Sequence, residues 1–409
     1  MTEKRTITKE DIFLEARVRS EGAQIEFKNA SPDWQPDRAD LYQYNVILDG
    51  CDIAIGLWNN PSSHLKVVFN DEHATIFDND EVLGTGKQGM RPSWHNLLLN
   101  DGTSIRDANT LWSADIADIM LSSRCTTYPP CKYCSNSSTL VPFRDFGLYR
   151  SEPTLSAFEE LKARNVEATA IALQNGWRGT ILFTGGTPPR SQHDKITDEM
   201  ERILNQLRDT VGNEILSQNQ IMVTLFSPPK DLDLLYRWKD IGINATEFET
   251  ELVDPNYFKA ICPGKGEPKF WTEAQAASVE IFGHGRGSTT GIVMGLEPMD
   301  GMLKGIEERI SKGVFTQLFT FMPIVGSPYE GFMPPSAKWF VEASEKIVDI
   351  YLRYANTFDV DLTEDTRFGY TRNGRSYYLS IVDDEMSRRL QEMGKLGRGL
   401  PKQEGIEQT

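Results

Sequence analysis

Cys125-Thr126-Thr127-Tyr128-Pro129-Pro130-Cys131-Lys132-Tyr133-Cys134 puts three cysteines within ten residues of a chain whose other two, Cys51 and Cys262, stand alone. Three thiolates on one short loop suit a soft metal centre, either zinc or an iron–sulfur cluster. A structural zinc site takes four protein ligands, and the nearest histidines, His95 and His193, lie far from the loop in sequence. A three-thiolate site keeps one position open. A [4Fe-4S] cluster needs that opening if its unique iron is to bind a substrate or cofactor.

Outward from the loop, strands alternate with helices. Strand-like segments fall at 115–123, 179–184, 220–225, 243–251, 288–295 and 315–324. Between and after them, 155–173, 196–211, 231–239, 272–282, 303–310 and 337–354 carry apolar residues at helical spacing. Such alternation implies parallel pairing, because each crossover returns the chain to the same edge of the sheet. Six units are too few for a closed eight-stranded barrel and predict an α/β fold, a partial (β/α)6 TIM-like barrel with ligands at the carboxyl ends of its strands.

The motifs fall at those ends. The cysteines follow the first strand, and Gly185-Gly186-Thr187-Pro188 follows the second. On the fourth, Glu247, Glu249 and Glu251 share one face if the strand runs to its end, and a row of carboxylates inside a parallel sheet needs polar partners. Gly291 and Gly295, with Glu297 beyond them, close the fifth strand, and Met322-Pro323 lies at the end of the sixth.

The flanks differ in kind. Residues 1–112 read as a β-rich N-terminal domain: Asp49-Gly50 joins two alternating runs in a hairpin, and 64–69 and 74–77 are two further short strands. The stretch 87–95, with Trp94 beside His95, reads as a connector. Residues 113–355 form the barrel, and 356–409 a C-terminal segment with a hairpin at Asn373-Gly374, Tyr377 and Tyr378 on its second arm, then a charged helix and a frayed tail.

Composition narrows the classes. At 409 residues the chain holds two or three domains, by a prior of ~150 residues each. Its 39% hydrophobic and 25% charged content is that of a soluble globular protein. A charged N-terminus, no long apolar run and an odd number of cysteines predict a cytoplasmic, reduced protein with no membrane contact. A net charge of −16 argues against nucleic acid as a partner. Cys262, in a Pro/Gly-rich stretch after the glutamate strand, reads as a buried and inert thiol, the alternative being a thiol that faces the active site.

Together these motifs resemble the radical S-adenosylmethionine (SAM) superfamily, in its branch around biotin synthase, over about residues 113–355. The resemblance implies that Cys125, Cys131 and Cys134 bind [4Fe-4S] and that Gly185, Gly186 and Thr187 form the turn that meets the SAM methionine. It implies Glu249 at the ribose, Gly291, Gly295, Met322 and Pro323 on the adenine side, and Tyr133 packed on adenine. There are departures. The superfamily's loop is Cys-x3-Cys-x2-Cys, whereas five residues separate Cys125 from Cys131, a spacing similar to that in the radical SAM enzyme of iron-guanylylpyridinol cofactor assembly. Thr187 stands where Glu is usual, and Glu297 comes one residue early. No cobalamin-type Asp-x-His-x-x-Gly is present.

The implied chemistry is reductive cleavage of SAM to a 5′-deoxyadenosyl radical that takes hydrogen from a small-molecule or cofactor-precursor substrate in a biosynthetic pathway, with flavodoxin or ferredoxin as electron donor. The catalytic residues are not named by the sequence. A radical SAM methyltransferase, a peptide- or protein-modifying enzyme, and a zinc-stabilised α/β binding protein are the alternatives.

Overall fold

The computed structural model describes residues 5–28, 44–88 (except 52 and 72), 97–105, 111–134 (except 114, 115, 122–124 and 126), 155–357 (except 186, 189, 225, 226 and 324–326) and 380–394. The connector beyond 88, the hairpin at Asn373-Gly374 with Tyr377 and Tyr378, and the frayed tail lie outside the described residues.

The N-terminal part opens on a helix that alternation in the sequence does not reveal, α1 (Lys9–Glu21), started by a capping box in which Thr8 and Asp11 exchange hydrogen bonds. Six strands follow: β1 (Gln24–Lys28), β2 (Tyr44–Leu48), β3 (Ala54–Leu57), β4 (Leu65–Asn70), β5 (His73–Asp78) and β6 (Glu81–Gln88), ordered β1-β4-β5-β6-β2-β3. The hairpin at Asp49-Gly50 is present, with Tyr44 opposite Leu57, and β4 and β5 pair antiparallel as expected. Strand β6 is hidden in the sequence by its glycines. Gly86 is required there, since a Cβ would lie 2.4 Å from the Ile47 carbonyl oxygen of β2.

The second sheet runs β13-β12-β11-β10-β9-β8-β7. Its members are β7 (Leu111–Ser113), β8 (Ile116–Met120), β9 (Thr180–Thr184), β10 (Gln220–Val223), β11 (Ala245–Glu247), β12 (Gly285–Met294) and β13 (Val314–Thr320). From β8 to β13 neighbours in sequence are neighbours in the sheet and every pair is parallel; β7 adds an antiparallel edge. The crossovers are helical: α2 (Leu155–Gln174), α3 (His193–Val211), α4 (Asn213–Leu216), α5 (Leu234–Ile241), α6 (Pro255–Ile261), α7 (Pro268–Phe282) and α8 (Met299–Ser311), with α9 (Ala337–Arg353) after the last strand and α10 (Ile381–Glu392) beyond.

Strand periodicity sorts the side chains into two layers. Ala117, Ile119, Ile181, Phe183, Ile221, Val223, Ile243 and Phe248 join the large core under the helices, with Trp238 and Trp271. Ile116, Leu182, Met222 and Ala245 point the other way and form a small cluster of their own. That second face is the lumen. A separate core joins α1 and the N-terminal sheet to β12, β13, α8, α9 and α10, so the two sheets share buried surface through Ile292, Met294, Phe315 and Leu318.

The fourth strand of the barrel departs from expectation. It ends at Glu247, although single backbone bonds continue toward β12, from Phe248 N to Thr289 O (3.1 Å) and from Glu251 N to Gly291 O (2.9 Å). Glu251 adopts a left-handed φ of 57°, so the three glutamates do not form one strand row. Glu251 is buried.

Candidate functional site: the cysteine loop and the carboxyl ends of the barrel strands

The cysteine loop leaves β8 and is held from two sides. On one, the Thr187 N–H donates to Cys125 Sγ at 3.3 Å, so the turn after β9 and the first cysteine meet as the motif spacing requires. Cys125 itself donates to Thr127 Oγ1 (3.1 Å). On the other side, Lys132 N donates to Ile261 O (2.9 Å) at the end of α6, and Tyr329 N donates to Lys132 O (3.0 Å). Gly264 lies directly under the loop. A Cβ there would be 2.4 Å from Pro129 O and 2.6 Å from Thr127 Cγ2.

Cys131 is buried, and Cys125 and Cys134 are half-buried. Cys262 lies near Cys131, and that neighbour first and burial second push its thiol far up in pKa. Cys262 therefore keeps its proton. Among the described residues, no three Cys, His, Asp or Glu side chains converge as a ready metal-holding group. The structure thus sets the three loop thiols along one loop without gathering them on a single point.

Beside Cys131 lies a charged cluster that sequence reasoning missed in part. Lys265 forms a buried ion pair with Glu251, donates to the Glu249 carbonyl (2.8 Å) and sits 4.6 Å from the centre of the Trp271 ring. Burial opposes its charge, but Glu251, Cys131, Cys262 and Glu249 outweigh that and hold it protonated. Glu249 is pushed up in pKa by burial and then by Glu247 and Glu251. Its Oε1 would be 2.9 Å from a Cβ on Gly291, so the bare backbone of β12 makes the space this carboxylate occupies. Tyr133 turns its phenol into the same region: burial raises its pKa first, then the proximity of Glu251, Cys262, Cys131 and Cys134. No local pattern marks Lys265, the cation of a Pro/Gly-rich loop, although a carboxylate row lacking a cation was a clue that one had to exist.

The lumen carries two further polar pairs. Thr184 of β9 donates to Asp118 Oδ1 of β8, and Thr224 donates to Glu247 Oε2. Asp118 Oδ2 is buried and accepts no hydrogen bond among the described residues. Burial pushes the Asp118 carboxyl up to about 7 against the pull of Thr184. A lone Asp inside an apolar strand was the available signal.

The other motif residues are placed as follows. Gly185 has φ 144°, a conformation open to glycine; Gly186 lies outside the described residues. Gly295, at φ 101°, packs against Pro335 rather than the cysteine loop. Met322 and Pro323 are half-buried just past β13. Glu297 accepts from Val253 N and Asp254 N, both at 2.9 Å, and so braces the loop before α6.

The chain is 39% identical over 405 residues to the bacteriochlorophyllide c C-7(1)-hydroxylase of Chlorobaculum limnaeum, an alignment covering 96% of this chain and 98% of that one. No protein-family model matches. Among solved structures it is similar to the FeFe-hydrogenase maturase HydG of Carboxydothermus hydrogenoformans (20% identity, 58% of this chain and 52% of that one, TM-score 0.41). It is also similar to methylornithine synthase PylB (15%, 69% and 83%, 0.40). A third is the Escherichia coli coproporphyrinogen III oxidase HemN, a radical SAM enzyme (10%, 61% and 55%, 0.41). Among the described residues, no helix is long and apolar enough to cross a membrane.

Proposed function

The chain belongs to the family of the bacteriochlorophyllide c C-7(1)-hydroxylase, and we propose that it is a radical SAM enzyme that hydroxylates a bacteriochlorophyllide at that same carbon. That it is an enzyme follows from the family; the radical chemistry and the substrate are our reading. Identity of 39% across 96% of the chain is the observation that carries it.

The residues present fit the cofactors by their donor chemistry. Three thiols on one loop are soft ligands, a backbone N–H already points at the Cys125 sulfur, and the Lys265 ammonium lies beside Cys131 to balance negative charge. Cys125, Cys131 and Cys134 would hold a [4Fe-4S] cluster which, with SAM bound, supplies a 5′-deoxyadenosyl radical able to take hydrogen from an unactivated C–H bond. Gly185, Gly186 and Thr187 would line the methionine end of SAM. Glu249, with its carboxyl biased toward the protonated form, would share a hydrogen bond with a ribose hydroxyl across bare Gly291. Gly295, Met322 and Pro323 would complete the adenine side, with Tyr133.

The remaining polar groups orient one another. Thr184 and Thr224 satisfy one oxygen each of Asp118 and Glu247, leaving Asp118 Oδ2 as an atom that can hold a proton inside the lumen. We read the sheet from β8 to β13 as a partial (β/α)6 barrel, with flavodoxin or ferredoxin as electron donor.

The test is anaerobic. Protein reconstituted with iron and sulfide should carry about four iron atoms per chain. With SAM, dithionite and a bacteriochlorophyllide it should form 5′-deoxyadenosine together with a pigment one oxygen heavier, the oxygen coming from water as the carbon radical left by hydrogen abstraction gives up one electron, in place of the one dithionite supplied, and the water one proton. A colourless chain holding one zinc, or pigment unchanged while 5′-deoxyadenosine accumulates, rejects the cluster or the substrate respectively.

A further inference from the structure

On β13, Gln317 pairs with Gly291 of β12, while Leu318 beside it belongs to the core shared with the N-terminal sheet. Alternation along the strand therefore turns Gln317 to the opposite face, the lumen. Gly291 gives the same direction: the Glu249 carboxylate and the Phe319 ring come within 2.9 and 2.8 Å of where its Cβ would stand. Gln317 is 6% exposed, and its Nε2 is buried without a hydrogen-bond partner among the described residues. Such an amide weakens the fold unless something outside the chain supplies the acceptor. Asp118 Oδ2 stands in the same condition on β8, at the other end of the parallel run, and Leu182, Met222 and Ala245 make the ground between them apolar.

We infer that Gln317 is a substrate-binding residue, its amide N–H donating to a carbonyl oxygen at the edge of a flat, largely apolar ring system. The half-buried Phe319, on the same face, offers that ring system an aromatic neighbour. The inference rests on the substrate reading above and adds the contact that selects the substrate. Adenine is a flat ring too, but the residues assigned to it, Gly295 and Met322, lie ~13–17 Å further along the chain than Gly291 and Gln317 at a strand's rise. The amide serves what lies deeper. A bacteriochlorophyllide brings an apolar macrocycle with a ring ketone, an oxygen that accepts and does not donate. A site built to pair such an oxygen discriminates against the analogue that lacks it, because its own donor is then left unpaired.

The experiment titrates the reconstituted wild-type chain and Gln317→Met with three probes, read by pigment absorbance and protein fluorescence. These are a bacteriochlorophyllide with its ring ketone, the same pigment with that ketone replaced by a methylene, and SAM alone. Met keeps the unbranched shape and loses the donor; Gln317→Leu carries the comparison should the Met variant not fold. Wild type should bind the ketone pigment about tenfold tighter than the methylene one, and the variant should bind the two alike, with SAM affinity unchanged. Without ligand the variant should melt no lower than wild type, since the amide has nothing in the chain to lose. A preference for the ketone that survives in the variant overturns the inference, as does wild type that binds both pigments equally. Weakened SAM binding with pigment binding intact overturns it too, because the amide then serves the nucleoside. A clear drop in the unliganded melt shows that the amide is paired within the fold and likewise overturns it. Wild type that binds SAM and neither pigment overturns the substrate reading, and this inference with it.

Discussion

Replacing Asp118 by Asn should change how stability depends on pH. The carboxyl is 1% exposed, Oδ1 takes the Thr184 hydroxyl, and no cation is among the causes of its shift, so burial pushes it from its ordinary 3.8 up to about 7. Between those values the folded chain holds a proton that the unfolded chain has released. Stability contributed by this group is therefore complete below about pH 4, falls as pH rises through the window, and levels off above about pH 7. The difference is worth about 4 kcal/mol, an upper figure because water entering the lumen would reduce it. Asn has nearly the same shape, can still meet Thr184, and has no proton to lose. Thermal melts of the two chains at pH 5, 6, 7 and 8 should show Asp118→Asn gaining on wild type up to about pH 7 and little beyond it, by roughly 3 °C in total. Asp383, at the start of α10, is also pushed up to about 7, and it stays in both chains, so the difference between the curves isolates Asp118. A pH-independent gap refutes the claim that this carboxylate is buried without compensation.

Two other substitutions probe the same region. Lys265→Met leaves Glu251 buried without its cation and should cost roughly 3–5 kcal/mol in chemical denaturation, of which Glu251→Gln in the same chain should recover more than half. A cost below about 1 kcal/mol for the single change would mean that the pair is solvated. Gly264→Ala puts a Cβ 2.4 Å from Pro129 O, a backbone atom that cannot swing aside. The loop must lift, at about 1–3 kcal/mol, and iron uptake on reconstitution should drop, so wild-type uptake and melting together would count against the packing described.

The strand–helix alternation was legible because burial on a regular element repeats at a short period. The helices over 337–354 and 196–211 fall almost where α9 and α3 lie for that reason. What failed was whatever depends on a partner distant in sequence. β11 looks six residues longer than it is because the backbone continues toward β12 by scattered bonds, which composition does not distinguish from a ladder. Gly84 and Gly86 hide β6, since the need for small residues comes from β2 and α1 rather than from β6 itself. At the site, the three cysteines announce themselves, but Asp118 meets Thr184 across 66 residues, and nothing around either predicts the pairing. The burial expected of Cys262 is present, whereas the nearness of Cys131 is set by chain more than a hundred residues away and leaves no local trace.

The wide gap between Cys125 and Cys131 has a structural counterpart in the 261–265 turn. Five residues fill that gap, and two of them, Thr127 and Pro129, are the ones that come closest to Gly264. A three-residue gap would remove two of the five and with them part of this contact surface. Yet the contact does more than anchor a loop. The same turn carries Lys265 to Glu251, so the segment that receives the longer loop also supplies the cation that balances the strand-end carboxylates. Loop length, the missing Cβ at 264 and the charge beside Cys131 are therefore one coupled feature: shortening the first removes the reason for the second, and filling the second displaces the loop from the third.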